Sequence, residues 1–311
     1  MDVPTPLVDL SRLAEALGVA RVWAKDEGRR ALGNFKSLGG TRAAAEALAG
    51  APEGPRRLIC ASDGNHGLAV AAAAEAGAVA ARVYLPASVP SDRVERVVAL
   101  GAEVVRVDGT YDDAVDLATA AAASGDGILI ADTTDDLDDP VVASVMAGYA
   151  AIAGEIVEQL AGEWPTHLFV QAGVGGLAAA MARGLSAVAP LKVVVVEPAS
   201  AASVAAALAA GAPVRIPGSL ETCATMLACG LASAPAVEVL LACDCQAVCA
   251  DEASLMAAPD RLLSFGGPET TPSGAAGLAG LLMASASPGP SDALPLGPGS
   301  KVLLIVTEAR L

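Results

Sequence analysis

The stretch NFKSLGG, residues 34–40, places a single lysine, Lys36, directly after an Asn-Phe pair and at the start of a predicted helix. An isolated lysine is usually a solvated surface residue, so Lys36 alone indicates little. Its meaning depends on which other segments lie at the ends of the strands, because open sheets of parallel strands bind their ligands there.

Two further segments stand at predicted strand-to-helix junctions. The first, DGNHG at residues 63–67, offers Asp63 and Asn65 either as helix caps or as polar groups close to a ligand. The second, QAGVGGL at residues 171–177, is rich in glycine and precedes a helix. Successive free N–H groups and the positive end of that helix predict a phosphate site. The predicted phosphate-binding residues are Gly173, Val174, Gly175, Gly176 and Leu177.

Short β-branched runs alternate with alanine-rich helical stretches along the chain. The predicted strands are 21–25, 57–61, 81–85, 102–107, 127–131, 167–171, 191–197 and 301–307. The predicted helices between them are 67–76, 92–100, 112–123, 140–160 and 177–188. This alternation predicts an α/β fold with mostly parallel sheets flanked by helices. The segment 287–300, rich in Pro, Gly and Ser, is expected to be a loop before the last strand.

Composition and charge limit the classes of function. The 311 residues, of which 54% are hydrophobic, suffice for about two domains. A net charge of −16 disfavours binding to nucleic acid and to anionic membranes. We find no signal-peptide pattern and expect no apolar span of about 20 residues that could cross a membrane. The sequence therefore predicts a soluble cytoplasmic protein with neither nucleic-acid nor membrane partners.

The cysteines and histidines lack the spacing of a metal site. One residue separates Cys243 from Cys245, whereas structural zinc motifs use two, and His66 and His167 are far apart in the sequence. We expect no metal and predict buried thiols. A disulfide within the cluster 223–249 stays open from the sequence, although a cytoplasmic location argues against it.

Together, the segments 34–40, 63–67 and 171–177 resemble fold type II pyridoxal-phosphate (PLP) enzymes, the tryptophan synthase β-like group that includes threonine and serine dehydratases and cysteine synthase. Within that group they are similar to the diaminopropionate ammonia-lyase family, which has Asp-Gly-Asn-His-Gly where threonine dehydratases have Ser-Gly-Asn-His. Further matches cover nearly the whole chain, at 100–103, 111–113, 131–133, 148–150, 196–198, 227–230 and 306–308. The chain departs from the family at Gly176, in the segment 271–275, which lacks an expected glutamate, and at 309–310.

The resemblance implies a two-domain enzyme that binds PLP and forms a homodimer. Residues 1–38 and 149–311 would form the large cofactor-binding domain, and residues 39–148 the small domain. Lys36 would be the Schiff-base lysine. Asn65 would bind the phenolic oxygen of PLP and Thr307 its pyridine nitrogen. The alternatives are that Asn65 only caps a helix and that Thr307 only ends a strand.

The resemblance also implies roles for acidic residues. Asp63 and Asp132 would be acid–base groups near the substrate that help the enzyme act on either enantiomer. The alternatives are a helix cap for Asp63 and a strand end for Asp132. Asp112 and Asp113 match the family too, but solvated acids at the start of a helix explain them equally well.

The implied reaction is elimination of ammonia from the small amino acid 2,3-diaminopropionate, which gives pyruvate and ammonia. A hydroxyl at the pyridine nitrogen leaves PLP a weaker electron sink than a carboxylate would, which favours elimination or replacement at Cβ. A serine/threonine dehydratase or a β-replacement synthase is the alternative within the same chemistry.

Two alternatives come from other classes of protein. A NAD-dependent dehydrogenase is one, because Gly173-x-Gly175-x-x-Ala178 with Glu197 satisfies the loose dinucleotide fingerprint. That interpretation leaves the segments 34–40 and 63–67 unexplained. A non-catalytic homologue is the other, supported only by the altered segment 271–275 and the end of the chain; the presence of Lys36 argues against it.

Overall fold

The computed structural model describes residues 3–51, 57–286 and 295–310. Within these ranges the strands are β1 (Leu7–Asp9), β2 (Arg21–Asp26), β3 (Arg57–Ala61), β4 (Ala80–Pro86), β5 (Glu103–Val107), β6 (Ile128–Leu129), β7 (His167–Gln171), β8 (Lys192–Pro198), β9 (Gln246–Ala250) and β10 (Lys301–Val306). The α-helices are α1 (Ser11–Leu17), α2 (Lys36–Gly50), α3 (Asn65–Ala76), α4 (Ser91–Ala99), α5 (Tyr111–Ala123), α6 (Pro140–Leu160), α7 (Gly176–Ser186), α8 (Ser203–Ala210), α9 (Ala234–Ala242), α10 (Glu252–Ser264) and α11 (Ala276–Ala286). All the predicted strands and helices are confirmed, with ends that differ by no more than two residues.

The strands form two sheets. A six-stranded sheet has the order β1-β2-β10-β7-β8-β9, and a four-stranded sheet has the order β5-β4-β3-β6. Only the β1–β2 pair is antiparallel in the described sheets; every other neighbouring pair is parallel. The prediction of an α/β fold with mostly parallel sheets is therefore confirmed.

The two sheets draw their strands from separate parts of the chain. All four strands of the smaller sheet lie within residues 57–129, and the larger sheet takes its strands from residues 7–26 and 167–306. This arrangement supports a small domain over 39–148 and a large domain over 1–38 and 149–311. Those boundaries stay a prediction.

The central strands lack the polar alternation of a half-exposed sheet because helices cover both of their faces. All five residues of β7 are buried, and so are all residues of β8 except Lys192. Helix α11 packs on β7 and β8, and α7 packs beside α6 and α9. These helices hold the carboxyl end of β7, and the glycine-rich segment that follows it, in a fixed position.

A contact between glycines fixes the start of α2. A Cβ atom on Gly39 would lie 2.5 Å from the ring of Tyr149, and one on Gly148 would lie 2.6 Å from Cα of Gly39. Any larger side chain would push α2 and α6 apart. The Gly-Gly that ends the stretch 34–40 thus lets α2 pack tightly on α6, and this packing fixes the position of Lys36.

Helix α6 differs from expectation in one respect. Its 21 residues are long and apolar enough, by length and composition alone, to cross a membrane, so the expectation that no segment has this character is wrong. In the fold the helix packs between α2 and α7, and its buried residues include Val142, Val145 and Ile152. A core helix of a folded domain has the same length and composition.

The cysteines are all free thiols, so no disulfide forms within the cluster 223–249. The prediction of buried thiols is right for Cys60 and Cys229 and wrong for Cys249, which is exposed on the edge strand β9. The loop predicted at 287–300 lies mostly outside the described residues; its part at 295–300 contains no strand or helix.

Candidate active site

A cleft opens at the carboxyl ends of strands from both sheets. The cleft brings together every residue for which a site role was predicted: Lys36, Asp63, Asn65, Asp132, Gly173, Val174, Gly175, Gly176, Leu177 and Thr307. Segments that are distant in sequence thus meet where parallel sheets place their ligands.

Lys36 occupies the first turn of α2 and points its amine into the cleft. Asn34 fixes the local backbone, because its side-chain oxygen accepts a hydrogen bond from the backbone N–H of Lys36 at 3.0 Å. Nζ of Lys36 forms an ion pair with Oδ2 of Asp132. The other oxygen of that carboxylate, Oδ1, accepts a hydrogen bond from the hydroxyl of Tyr111 at 2.6 Å. Lys36, Asp132 and Tyr111 therefore form one connected chain of proton-bearing groups.

The environment shifts the pKa values of all three groups. Burial disfavours the charged form of Lys36, but the Asp132 carboxylate outweighs it and raises the pKa of the lysine. Burial likewise opposes ionisation of Asp132, yet the charge and hydrogen bond of Lys36, with the hydrogen bond from Tyr111, lower its pKa. Burial and the nearby carboxylate raise the pKa of Tyr111 well above its ordinary value. Asp132 is thus an ionised acceptor held between two donors.

Asp63 lies in the turn between β3 and α3 and does not cap that helix. The hydroxyl of Ser62 instead accepts hydrogen bonds from the N–H groups of Gly64 and Gly67, each at 2.8 Å. Glycine suits position 64 because its φ of +136° is a conformation that other residues rarely adopt. The helix-cap alternatives for Asp63 and Asn65 are therefore wrong.

The Asp63 carboxyl faces the cleft with a strongly shifted pKa. Burial, followed by the negative charge of Asp132, raises the pKa of Asp63 to about 8. At neutral pH Asp63 therefore holds a proton, whereas Asp132 is ionised. Two carboxyl groups with opposite protonation states are the arrangement that acid–base chemistry requires.

The glycine-rich segment between β7 and α7 forms a cradle. Gly175 is the N-cap residue of α7; its φ is +94°, and it has no side chain that could cap the helix. Among the described residues, the backbone N–H groups of 173–177 donate to no carbonyl or side-chain oxygen. A Cβ on Gly173 would lie 2.9 Å from Sγ of Cys229. Because these glycines have no side chains, the N–H groups at the N-terminus of α7 stay accessible. Accessible N–H groups at a helix N-terminus suit a phosphate.

Thr307 follows the last residue of β10 and is buried in the cleft. Its Oγ1 accepts a hydrogen bond from the side-chain nitrogen of Gln171 at 3.0 Å. Since that nitrogen can only donate, the hydroxyl proton of Thr307 is free to donate to a ligand. The role of Thr307 as a ligand of the pyridine nitrogen stays a prediction.

The structure adds cleft residues that sequence reasoning did not select, among them Tyr111, Tyr149 and Glu308. The hydroxyl of Tyr149 is buried and makes no hydrogen bond with any described residue, while its ring packs on Phe35 with centroids 4.9 Å apart. Burial, with the nearby Asp132, raises the pKa of Tyr149 to about 12. Tyr111 and Tyr149 lie in the segments 111–113 and 148–150, which resemble the family, and this resemblance was the only sequence signal that could have selected them.

Asp112 and Asp113 have different environments. Asp113 is exposed and forms a capping box with Thr110, as expected for a solvated acid at the start of a helix. Asp112 is buried, and its carboxylate accepts a hydrogen bond from the N–H of Gly230 at 3.1 Å. The solvated-acid interpretation is thus right for Asp113 and wrong for Asp112, which ties α5 to the loop that carries Cys229.

Glu197 cannot play the part that a dinucleotide-binding site requires. Its fully buried carboxylate accepts hydrogen bonds from the N–H groups of Val204 and Ala205, at 2.8 and 2.7 Å. Both oxygens bind the start of α8, and because the side chain is fully buried, neither can reach a ribose hydroxyl. The geometry disfavours the dehydrogenase alternative.

The cleft residues fit PLP. The fit rests on the partly buried amine of Lys36, a set of free N–H groups at 173–177 and a free hydroxyl proton on Thr307, all lining one cavity. These match the needs of an aldehyde, a phosphate and a pyridine nitrogen.

Comparison with known proteins agrees with this geometry. The sequence profile of the family described as pyridoxal-phosphate dependent enzyme matches residues 2–308. Diaminopropionate ammonia-lyase of Escherichia coli (strain K12) is 32% identical over 335 residues, an alignment that spans 98% of this chain and 84% of the relative.

Solved structures show the same likeness. The crystal structure of diaminopropionate ammonia-lyase from Escherichia coli in complex with D-serine superposes with a TM-score of 0.88 at 30% identity, covering 99% of this chain and 85% of that one. The crystal structure of T.th. threonine deaminase superposes with a TM-score of 0.82 at 28% identity, covering 100% of this chain and 94% of that one. The chain therefore belongs to the family of fold type II PLP-dependent enzymes that includes diaminopropionate ammonia-lyase.

Proposed function

We propose that this protein catalyses α,β-elimination of ammonia from 2,3-diaminopropionate. One diaminopropionate and one water would yield one pyruvate and two ammonia. The observation that carries the proposal is the pair Asp63 and Asp132 in the cleft that holds Lys36. A diamino acid brings two amino groups, and two carboxyl groups in different protonation states can handle a proton at each.

The residues of the cleft would hold the cofactor by groups that are otherwise unused. The N–H groups of residues 173–177 would bind the phosphate, the amide of Asn65 the phenolic oxygen, and the hydroxyl of Thr307 the pyridine nitrogen. When bound, PLP supplies an aldehyde that bonds to amines and a conjugated ring that withdraws electrons from Cα. Because Thr307 offers a hydroxyl rather than a carboxylate, that withdrawal is moderate, and loss of a group from Cβ is favoured.

Proton transfers would run along the chain of Lys36, Asp132 and Tyr111. Asp132 is ionised and stabilises the ammonium form of Lys36, so the lysine has to release that proton to its surroundings before it becomes the neutral, nucleophilic amine. Once the amino group of the substrate takes the place of Lys36 on the cofactor, the free lysine amine can remove the proton from Cα of the substrate. Tyr111 binds the other oxygen of Asp132 and would keep the carboxylate turned toward the lysine.

Asp63 would act on the leaving amino group. Because its pKa is raised to about 8, it can donate a proton to a neutral β-amine at physiological pH. If the β-nitrogen arrives as ammonium, its charge lowers the pKa of Asp63, which then binds it as a carboxylate. Ammonium with carboxylate holds as many protons as amine with carboxylic acid. Either way the nitrogen leaves as ammonia. The crystallised complex of the Escherichia coli relative with D-serine supports binding of D-amino acids as well.

A serine/threonine dehydratase is the second candidate, supported by the superposition on threonine deaminase. We further propose that the protein is a cytoplasmic homodimer, on the basis of the resemblance to its relatives. Size-exclusion chromatography with light scattering measures the mass in solution and tests the dimer; a monomer at micromolar concentration would contradict it.

Steady-state release of pyruvate from D- and L-diaminopropionate and from serine, and of 2-oxobutyrate from threonine, tests the function. We expect kcat/KM for diaminopropionate to exceed that for serine by at least about tenfold, and Asp63→Ser to reduce or reverse this ratio. A wild-type enzyme that prefers serine or threonine would establish the dehydratase instead. Failure to bind PLP would overturn both candidates.

A further inference from the structure

Glu308, two residues beyond β10, carries a buried carboxylate at the wall of the cleft. One oxygen, Oε2, accepts a hydrogen bond from the side-chain nitrogen of Asn65. The other, Oε1, accepts one from the hydroxyl of Thr271. Neither contact belongs to the proton chain of Lys36, so the proposed reaction leaves Glu308 without a role.

The carboxylate is itself fixed from several sides. The hydroxyl of Thr271 accepts a hydrogen bond from the N–H of Gly274 at 3.0 Å, which directs its proton toward Glu308. The guanidinium of Arg93, on α4, lies 3.7 Å from Oε1. The backbone of Glu308 pairs with Asn34 in an isolated antiparallel bridge. Thr271 belongs to the segment that departs from related enzymes, and here it supplies a donor to Glu308.

A carboxylate next to an amide decides which way the amide points. The two ends of an asparagine side chain have the same shape, but one donates hydrogen bonds and the other accepts them. Glu308 with both oxygens accepting can only receive the nitrogen of Asn65; the amide oxygen would repel it. The second N–H on that nitrogen stays available in the cleft.

We propose that Glu308 is a positioning residue for the cofactor, which keeps the nitrogen of Asn65, not its oxygen, turned toward the phenolic oxygen of PLP. The inference rests on the proposed function, because that function assigns Asn65 to this oxygen. An amide turned the other way would set its oxygen against the phenolic oxygen, and both groups accept. Glu308 thereby acts on the cofactor without touching it.

The decisive variant is E308Q, which keeps the size of the side chain but can donate as well as accept. Asn65 is then free to turn over. We expect the dissociation constant of PLP, measured by titration of the apoprotein, to rise about tenfold. We also expect the pH midpoint of the visible absorbance band of bound PLP to rise by about 0.5 unit or more, because an unpaired phenolic oxygen holds a proton more tightly.

A double-mutant cycle separates positioning from general loss of stability. N65A should cause the same two changes. The double variant N65A/E308Q should differ little from N65A, since both substitutions remove the same interaction. The matched control is E197Q, which removes another fully buried carboxylate, one that binds only the backbone outside the cleft. E197Q should lower the melting temperature and leave the midpoint of the band unchanged.

The outcomes are distinct. If the wild type gives no visible band with PLP, the proposed function fails. If the wild type gives the band and N65A shifts it, but E308Q does not, or if the two effects add, the inference about Glu308 alone fails. Should E308Q not fold, T271V removes the donor to Glu308 together with the acceptor for the N–H of Gly274. A smaller shift in the same direction is then required, and no shift would overturn the inference.

Discussion

The hydroxyl of Tyr111 donates a hydrogen bond to Oδ1 of Asp132 at 2.6 Å, while Oδ2 of the same carboxylate pairs with Lys36. One carboxylate therefore links the amine that would bond to the cofactor with a phenol on another helix. The two donors thus hold both oxygens of Asp132, and the carboxylate cannot turn without breaking one of these contacts.

Removing the phenol should change the pH dependence. In Y111F, Asp132 loses a hydrogen bond that lowers its pKa, so the pKa rises and the acid limb of the kcat/KM profile moves to higher pH. We expect kcat/KM at neutral pH to fall about tenfold. Y84F, a buried tyrosine on β4 outside the cleft, should retain the wild-type profile. An unshifted acid limb in Y111F would show that Asp132 does not titrate in catalysis.

Lys36 should carry the cofactor covalently. After borohydride reduction and unfolding, mass spectrometry should find PLP on the peptide with Lys36 in the wild type and on no peptide in K36A. The kcat of K36A should fall by at least about 10³-fold. K25A removes a fully buried lysine, which pairs with Glu155 away from the cleft, and this variant should still be labelled at Lys36. Labelling of K36A at another residue would contradict the assignment.

The glycine cradle should not tolerate a side chain. At Gly175, φ is +94° and a Cβ would lie 3.2 Å from Cβ of Ala236. G175A should weaken PLP binding at least about tenfold, through distortion of the N–H groups, at a backbone cost of about 1 kcal/mol or more. G211A is the control, because φ there is +75° but a Cβ meets nothing within 4 Å. It should lower the melting temperature without changing PLP affinity, and equal affinity loss in both variants would refute the cradle.

Asp63 should make the apoprotein less stable as the pH rises. Its folded pKa of about 8 exceeds the value of an unfolded aspartate, so between about pH 4 and 8 the folded state binds more protons and stability falls with increasing pH. D63N lacks this loss, so its melting temperature should exceed that of the wild type by several degrees at pH 8 and by little at pH 4.5.

The exposed Asp113 provides a control of opposite sign. The hydrogen bonds from Thr110 lower its pKa, so its contribution to stability is present at neutral pH and is lost as the pH falls. D113N should therefore be less stable than the wild type at pH 8. A melting temperature of D63N that follows the wild type at every pH would mean that Asp63 is not shifted.

The sequence predicted the parts of this protein that local pattern determines. Lys36 and the glycines at 173–176 stand where a strand gives way to a helix, and parallel sheets bring such junctions to one edge. The strands β1 and β9 were not predicted; they have only three and five residues and lie at the two edges of the larger sheet. Edge strands depend on the neighbour they pair with more than on their own composition.

The rest of the site depends on packing over long sequence separations. Tyr111 meets Asp132 because α5 packs on β3 and runs beside β6, and no spacing of 21 residues dictates that contact. Glu308 meets Asn65 across 243 residues of chain, so its role could not be inferred from neighbours in sequence. Asp112 and Asp113 are adjacent and chemically identical, yet one is buried and the other is solvated, which only the direction of each side chain decides.

The position of β10 has a consequence for synthesis. This strand follows all others of its sheet in the sequence but lies between β2 and β7. While the ribosome is still translating the preceding residues, the facing edges of β2 and β7 have no partner, and exposed strand edges are templates for aggregation. Nascent chains of this enzyme should therefore depend on chaperones until residues 301–306 emerge and join the two halves of the sheet.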